Sequence, residues 1–489
     1  MINLDNVSFK YQNTDESTLN NIHLKIKPGE CVLLCGESGC GKTTIIRLIN
    51  GLIPHFYDGQ LCGDVAIDNL DTQNTPLEKI SRKVGSVFQN PRSQFFCVDT
   101  TSEIAFGPEN MGLPEKEIWE RVHKASEQLQ IKNILNRNIF NLSGGEKQKI
   151  ACAGVSAAEP DIIVLDEPTS NLDENAICML RKVLLLWKKS GKTIVVAEHR
   201  LNWLIDIADR VIYMEKGEIA DNLTGTSFFS KSNEELNSRG LRSLKMTFNY
   251  LEHEKGSGDL FPVHYSESEA GFSCIHPTYK EKYTLSNFHY SYEKGKDALQ
   301  LEPIEIPVHS IVAVVGHNGA GKSTFSKCLC GILRGFKGDI TINNVKYKGK
   351  KLKKLCYMVM QDVNHQLFTD SVLEEVSLGL SDYNNLSAQE VLEKMDLWKF
   401  KDRHPMSLSG GQKQRTAISC AYLSDRDILI FDEPTSGLDF KRMEETANLI
   451  TEISREKTVF IVTHDMELVE KCCTHILHIE NGRMCPPSA

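Results

Sequence analysis

The sequence has no run of 18 or more apolar residues, so it offers no candidate for a membrane-spanning helix. Any role at a membrane is then expected to be played from the cytosolic face, through partners. Basic residues are not in excess. The net charge of −9 argues against general affinity for nucleic acid or anionic lipid, leaving such contacts to local patches. The 15 cysteines, among them Cys31, Cys62, Cys97, Cys178 and Cys420, lack the C-x-x-C pairs that would make a zinc site. Their odd number, without a secretory segment, reads as reduced cytosolic thiols. The opening MINLDNVSFKY has the look of a strand and not of a basic region leading into an apolar run, so no targeting segment is expected. No heptad run separates the motifs described below, which excludes a long coiled coil.

What is present is a duplication. The 489 residues leave room for two to four domains, and 40% hydrophobic with 25% charged residues is ordinary for a chain that buries a core in each. GESGCGKT (36–43) returns as GHNGAGKS (316–323), and VFQNPRSQFF (87–96) as VMQDVNHQLF (359–368). LSGGEKQK (142–149) returns as LSGGQKQR (408–415), IIVLDEPTSNLD (162–173) as ILIFDEPTSGLD (428–439), and TIVVAEH (193–199) as TVFIVTH (458–464). The offset is 280 residues at Lys42/Lys322 and 266 at Ser143/Ser409, so the first half carries 14 extra residues between these points. The expected organisation is a first domain over 1–225, a connector over 226–282 and a second domain over 283–485. The connector mixes charge with Ser and Gly, and reads as partly packed and partly mobile, or else as a small ordered subdomain.

Short apolar runs end at the motifs. CVLLCG and IVAVVG lead into the glycine loops, and TTIIRLINGL and STFSKCLCGIL read as the helices that follow. IIVLDE, ILIFDE, TIVVAE and TVFIVT are continuously apolar, as buried parallel strands are. Strands alternating with helices predict an α/β domain with a mostly parallel sheet and its ligand at the carboxyl ends of the strands.

G-x-x-x-x-G-K-[ST] wraps backbone N–H groups round a phosphate. Gly36, Gly39 and Gly41 serve one loop, and Gly316, Gly319 and Gly321 the other. Lys42 and Lys322 would reach the β- and γ-phosphates of ATP. Thr43 and Ser323 would place a hydroxyl on Mg²⁺, with Thr44 and Thr324 beside them at the start of the helix. The acid pairs at the strand ends divide the remaining labour. Asp166 and Asp432 would hold Mg²⁺, and Glu167 and Glu433 would act as general bases on the attacking water. His199 and His464, at the ends of later strands, are placed to contact the γ-phosphate. Gln89 and Gln361 could bind Mg²⁺ or water. Tyr11 and Tyr292, ahead of the loops by 25 and 24 residues, could stack on adenine, although Tyr290 or Phe288 would serve as well in the second half. Cys40 lies at a helix N-terminus, where a thiolate is favoured; its other reading is a small residue that fits, like Ala320.

Phosphate loop, glutamine, LSGG, acid pair, SxLD turn and histidine, in that order and twice, resemble the nucleotide-binding domains of ABC ATPases over about 1–225 and 283–485. The resemblance implies two P-loop NTPase domains, each a mostly parallel sheet with helices plus a helical signature-motif subdomain. It implies that Ser143, Gly144 and Gly145, and Ser409, Gly410 and Gly411, are anion receptors that close on the triphosphate of the opposite half. Lys42, Asp166 and Glu167 would then share a site with Ser409, and Lys322, Asp432 and Glu433 with Ser143. Asp173 and Asp439 would lie where the halves meet. Two competent sites are expected from this head-to-tail pairing. They differ where AEHR (197–200) faces VTHD (462–465), basic after the histidine in one and acidic in the other.

FQNPRSQFFCVDTTSEIAFGPENMGLP (88–114) with GLIPHFYDGQLCGDV (51–65) resembles the ATPases of energy-coupling factor (ECF) transporters, and MQDVNHQLFTDSVLEEVSLGL (360–380) is a looser match. That resemblance implies import of a vitamin or metal ion. The partners would be a transmembrane coupling subunit and a membrane-embedded substrate-binding subunit, with the chain peripheral on the cytoplasmic face of the cell membrane. The differing grooves suit two different coupling helices, or reflect ordinary loop drift. The alternative is a soluble tandem ABC ATPase acting on ribosomes. Against it stand the acidic net charge and a connector without a long Lys/Arg-rich helical pattern, so no nucleic acid partner is expected. Tandem ATPases of sugar importers share the size but more usually show an eroded site.

Overall fold

The computed structural model describes residues 2–12, 14, 16–170, 172–244, 260–263, 281–293, 296–378, 380 and 385–485. Two compact units are present, one of residues 1–245 with Gly437–Lys441 and one of residues 246–436 with 442–489. Both are α/β, as the alternation of strands and helices predicts.

In the first unit a six-stranded sheet has the order Glu218–Thr224, Arg210–Glu215, Cys31–Gly36, Thr193–Ala197, Ile162–Asp166, Val84–Val87. All neighbours are parallel except the terminal hairpin. Side chains alternate across the sheet, so each strand feeds two cores. Leu33 and Cys35 join Ile163, Leu165, Ile194 and Val196 on one face. Val32 and Leu34 join Ile162, Val164 and Val195 on the other. Burial on both faces is why these strands read as unbroken apolar runs, and truncating one such side chain to Ala would cost about 2–5 kcal/mol. One face is covered by the helix Lys42–Ile49 and by an antiparallel sheet ordered Leu19–Ile26, Ile2–Tyr11, Gly59–Ile67, Leu70–Asp71. The other takes Ile104, Val122 and Ile150 from the helices Thr100–Asn110, Glu115–Gln128 and Gly144–Ala158, which form the signature-motif subdomain. Ala197 pairs with both Leu34 and Asp166, so the strand ends bearing Gly36 and Asp166 reach one edge together.

The second unit repeats the plan. Its main sheet runs Phe261–Pro262, His475–Glu480, Ile311–Val315, Thr458–Val462, Ile428–Asp432, Cys356–Val359, parallel from the second strand onward. Its antiparallel layer is broken. Lys282–Ser286 pairs with Ile304–Pro307 and Asp339–Ile342, while Phe288–Glu293 forms a separate hairpin with Lys296–Leu301. The break falls at Asn287, φ 57°, and the corresponding strand of the first unit carries Asn6 at φ 55°. Asparagine tolerates this left-handed backbone better than most residues. Helices Val372–Ser377, Asn385–Lys394 and Gly410–Leu423 make up the second helical subdomain.

Residues 226–244, taken in sequence as the start of the connector, form the helices Gly225–Phe229 and Asn233–Ser238, with Phe228, Leu236 and Leu241 buried in the first unit's core. Residues 245–259 and 264–280 of that connector lie outside the described residues. Among the described residues no helix is long and apolar enough to cross a membrane.

Candidate active site

Each phosphate loop connects the carboxyl end of a central strand to a helix. Gly36, Gly39 and Gly41 have φ of 147°, 87° and 105°, and Gly316, Gly319 and Gly321 have 143°, 87° and 111°. A Cβ at Gly36 would sit 2.3 Å from the Met214 carbonyl oxygen, and one at Gly316 2.0 Å from that of Ile479, so backbone and space both demand glycine. Lys42 Nζ donates to the carbonyls of Gly36 (2.9 Å) and Glu37 (3.0 Å). Lys322 Nζ donates to those of Gly316 (2.6 Å) and His317 (2.9 Å). Cys40 is buried, and that burial raises its thiol pKa above the ordinary value against the pull of Lys42. The helix terminus therefore does not make it a thiolate. It fills the loop as the buried Ala320 does in the second unit.

The acids stand at the end of the next strand but one. Thr43 Oγ1 donates to Asp166 Oδ1 at 3.0 Å. Burial, and then the Glu167 charge, push the Asp166 carboxyl up to about 6. Burial takes Asp432 to about 6 against Lys322 and Lys327. Glu167 is pushed by burial to about 7 despite Lys42. Both glutamates occupy left-handed backbone, φ 43° at Glu167 and 50° at Glu433. Their N–H groups donate at 2.8 Å to the carbonyls of Ala197 and Val462. An acid held in this region costs about 1–3 kcal/mol and marks a constrained site.

The sheet brings other predicted residues to the same place. Gln89 Nε2 donates to Glu167 Oε2 at 2.6 Å, and His199 Nε2 lies 3.3 Å from Glu167 Oε1. In the second unit His464 Nε2 lies 3.0 Å from Lys322 Nζ, 3.1 Å from Asn318 Oδ1 and 3.8 Å from Glu433 Oε1. The first histidine thus leans on the acid and the second on the lysine. Gln361 follows its strand as Gln89 does, and Ser323 is exposed beside Lys322. Tyr11 Oη lies 3.2 Å from Thr44 Oγ1, and Tyr292 Oη 3.2 Å from Thr324 Oγ1. Phe288 is buried against Phe325 and Phe336 and has no free face for a base. Arg47, not singled out in sequence, donates to Tyr11 Oη at 2.9 Å and stacks 4.0 Å over the Tyr57 ring.

A second pair escapes a motif reading. Glu198 is 2% exposed, and its carboxyl accepts from Thr169 Oγ1 (2.7 Å) and from the His199 N–H (2.8 Å). In the other unit Asp465 accepts from Thr435 Oγ1 at 2.6 Å. The acid precedes the histidine in one half and follows it in the other. The signal lies in AEHR against VTHD, once both flanking positions are compared.

LSGG opens the helices Gly144–Ala158 and Gly410–Leu423, with Ser143 and Ser409 as N-caps in capping boxes. A Cβ on Gly145 would press on Ala176 at 3.2 Å and one on Gly411 on Arg442 at 3.1 Å, whereas Gly410 has open space. Asp173 caps its own helix at the Ala176 N–H (2.8 Å). Asp439, in the Gly437–Lys441 segment of the first unit, accepts from the Ser38 N–H at 2.7 Å.

The donor set suits Mg²⁺. The Thr43 hydroxyl and Asp166 carboxyl are hard oxygen ligands within 3.0 Å of each other, and a buried acid of raised pKa gains from a cation. Among the described residues no group of three or more His, Cys, Asp or Glu could hold a metal by itself.

The ABC transporter family model matches residues 19–170 and 303–436. A candidate ABC transporter ATP-binding protein of Treponema denticola is 45% identical over 487 residues, 99% of this chain and 96% of its own. A candidate HMP/thiamine import ATP-binding protein of Bacillus subtilis, YkoD, is 32% identical over 497 residues, 98% of this chain and 89% of its own. A solved model of ribosome-bound archaeal Pelota and ABCE1 aligns with a TM-score of 0.66 over 99% of this chain and 78% of that one, at 23% identity, a likeness of fold alone.

Proposed function

Since the chain belongs to the ABC transporter family and hydrolyses ATP as a member of it, we propose that it energises an ECF-type importer of a vitamin or metal ion. The observation that carries this reading is the Bacillus subtilis relative, named for HMP/thiamine import and similar along 98% of the chain. Exposed aromatics between the glutamine and LSGG add to it. Phe96 is 75% exposed and stacks on Phe106 at 4.9 Å, with Val98 and Phe140 also exposed, and Phe368 is 74% exposed in the second unit. Apolar patches of this kind mark docking surfaces. The partners are a transmembrane coupling subunit and a membrane-embedded substrate-binding subunit, and the chain sits on the cytoplasmic face of the membrane. Residues 1–225 and 283–485 are the two catalytic domains, joined by 226–282.

The halves pair head to tail. Ser409 completes the site of Lys42, Asp166 and Glu167, and Ser143 completes that of Lys322, Asp432 and Glu433. The duplication supports this, because LSGG offers a hydroxyl, N–H groups and a helix terminus but no reactive group of its own. Lys42 and Lys322 exchange loop carbonyls for phosphate oxygens. Glu167 and Glu433 accept the proton of the attacking water, and at Glu167 a carboxyl pushed up to about 7 is well matched to that work. Gln89 and His199 hold the Glu167 carboxyl in place. Thr43, Asp166 and Gln89, and Ser323, Asp432 and Gln361, would hold Mg²⁺, which when bound supplies positive charge against the phosphate oxygens. ATP closes the halves and hydrolysis parts them.

The test is to purify the full chain from membranes and reconstitute what accompanies it. Two membrane subunits and ATP-dependent uptake of a vitamin or metal ion into vesicles are expected. Recovery on ribosomes, with no membrane subunit, overturns the reading.

A further inference from the structure

The two anion receptors differ in one hydroxyl proton. In the first unit Ser143 Oγ donates to Glu146 Oε2 at 2.9 Å, while Glu146 also takes the Ser143 N–H at 2.8 Å. In the second unit Gln412 holds the corresponding place. Gln412 Oε1 accepts the Ser409 N–H at 2.9 Å, and the Gln412 N–H donates to Ser409 Oγ at 3.5 Å. Among the described residues nothing accepts the Ser409 hydroxyl proton. Both caps satisfy the same helix terminus, yet only one leaves the serine able to donate elsewhere.

We propose that Glu146 weakens the receptor it belongs to, so that the two ATP sites close unequally and the one holding Lys322 closes less firmly. The proposal rests on the head-to-tail reading above. For Ser143 to serve a γ-phosphate, its proton must leave a carboxylate, which gives up a charge-assisted bond. The freed carboxylate then stands within one residue side chain of an incoming polyanion, at the helix end where anions are otherwise favoured. Ser409 meets neither obstacle, and the Gln412 amide adds a donor in place of a charge. Glu146 is thus a positioning residue that sets affinity by occupying the serine.

The experiment uses the full chain, 8-azido-ATP with orthovanadate, and peptide mapping of the cross-linked label to each half. Glu146→Gln is expected to lower the half-saturating nucleotide for trapping at the Lys322 half about tenfold, the scale of one hydrogen bond to a charged group, with the Lys42 half unchanged. Gln412→Glu should raise it at the Lys42 half by a similar factor. Folding is not at issue for these swaps, since each unit already carries the other's residue in a working capping box. Ser409→Arg separates the two claims, because it should abolish trapping at the Lys42 half. If it does so while neither swap moves either half, the role of Glu146 is overturned and the pairing stands. If Ser409→Arg instead silences the Lys322 half, the pairing fails and the proposal fails with it.

Discussion

A carboxylate can keep its partner while changing its place in the chain. Glu198 and Asp465 both hold the hydroxyl of the threonine two residues beyond the strand-end glutamate, from opposite sides of a histidine. The partner is 29 residues away at Glu198 and 30 at Asp465, so spacing within a motif carries no trace of it. AEHR against VTHD reads in sequence as a change of charge after the histidine, and the structure shows an exchange of position instead. Burial, and beyond it the Glu167 charge, push the Glu198 carboxyl from 4.5 to about 7, opposed by the Thr169 hydrogen bond. An acid whose pKa is raised on folding stabilises the fold below its unfolded value and loses that contribution as pH rises through the folded one. The thermal midpoint of the nucleotide-free chain should therefore fall between about pH 4.5 and about pH 7. Glu198→Gln should flatten part of that fall, with Asp166 and Glu167 supplying the rest. A midpoint profile with the same slope in the variant would remove Glu198 as a source.

Elements differ in how plainly they announce themselves. The central strands are legible because burial on both faces makes them continuously apolar, and the phosphate-loop helices because glycine, lysine and hydroxyl residues open them. The capping boxes are equally legible, since S-x-x-E and S-x-x-Q stand in the sequence. The broken antiparallel strand at Asn287 and the two helices within 226–244 are not, because one turns on a single dihedral angle and the other on long-range packing of Leu236 and Leu241. Exposure is also invisible in sequence. Phe96 follows another phenylalanine and Phe368 a leucine, and either could as well have been core, yet both face solvent. Replacing both with Ser should strip the membrane partners from the purified complex and leave ATP turnover by the isolated chain unchanged. Co-purification at full yield would show that the partners dock elsewhere.

For the whole molecule, the repeat supplies two copies of the motif set and says little about how they differ. The differences lie in contacts: His199 leaning on an acid where His464 leans on a lysine, and a committed serine proton in one receptor only. Glu167→Gln with Glu433→Gln should cut ATP hydrolysis by about 10²–10⁴-fold, the usual contribution of a general base, while nucleotide still binds. Steady-state turnover and equilibrium binding measured on the same preparation check this, and retained hydrolysis would dismiss the glutamates as bases. The single variants would then apportion turnover between the halves.

The two glutamates hold a backbone shape that suits glycine better than any acid. Glycines at both positions should relax the turns and leave a sturdier protein without the two proposed general bases. With these residues as the proposed bases, robustness and chemistry pull against each other there, and a search for hardier versions of this chain that selects on heat resistance alone would drift toward inert ones.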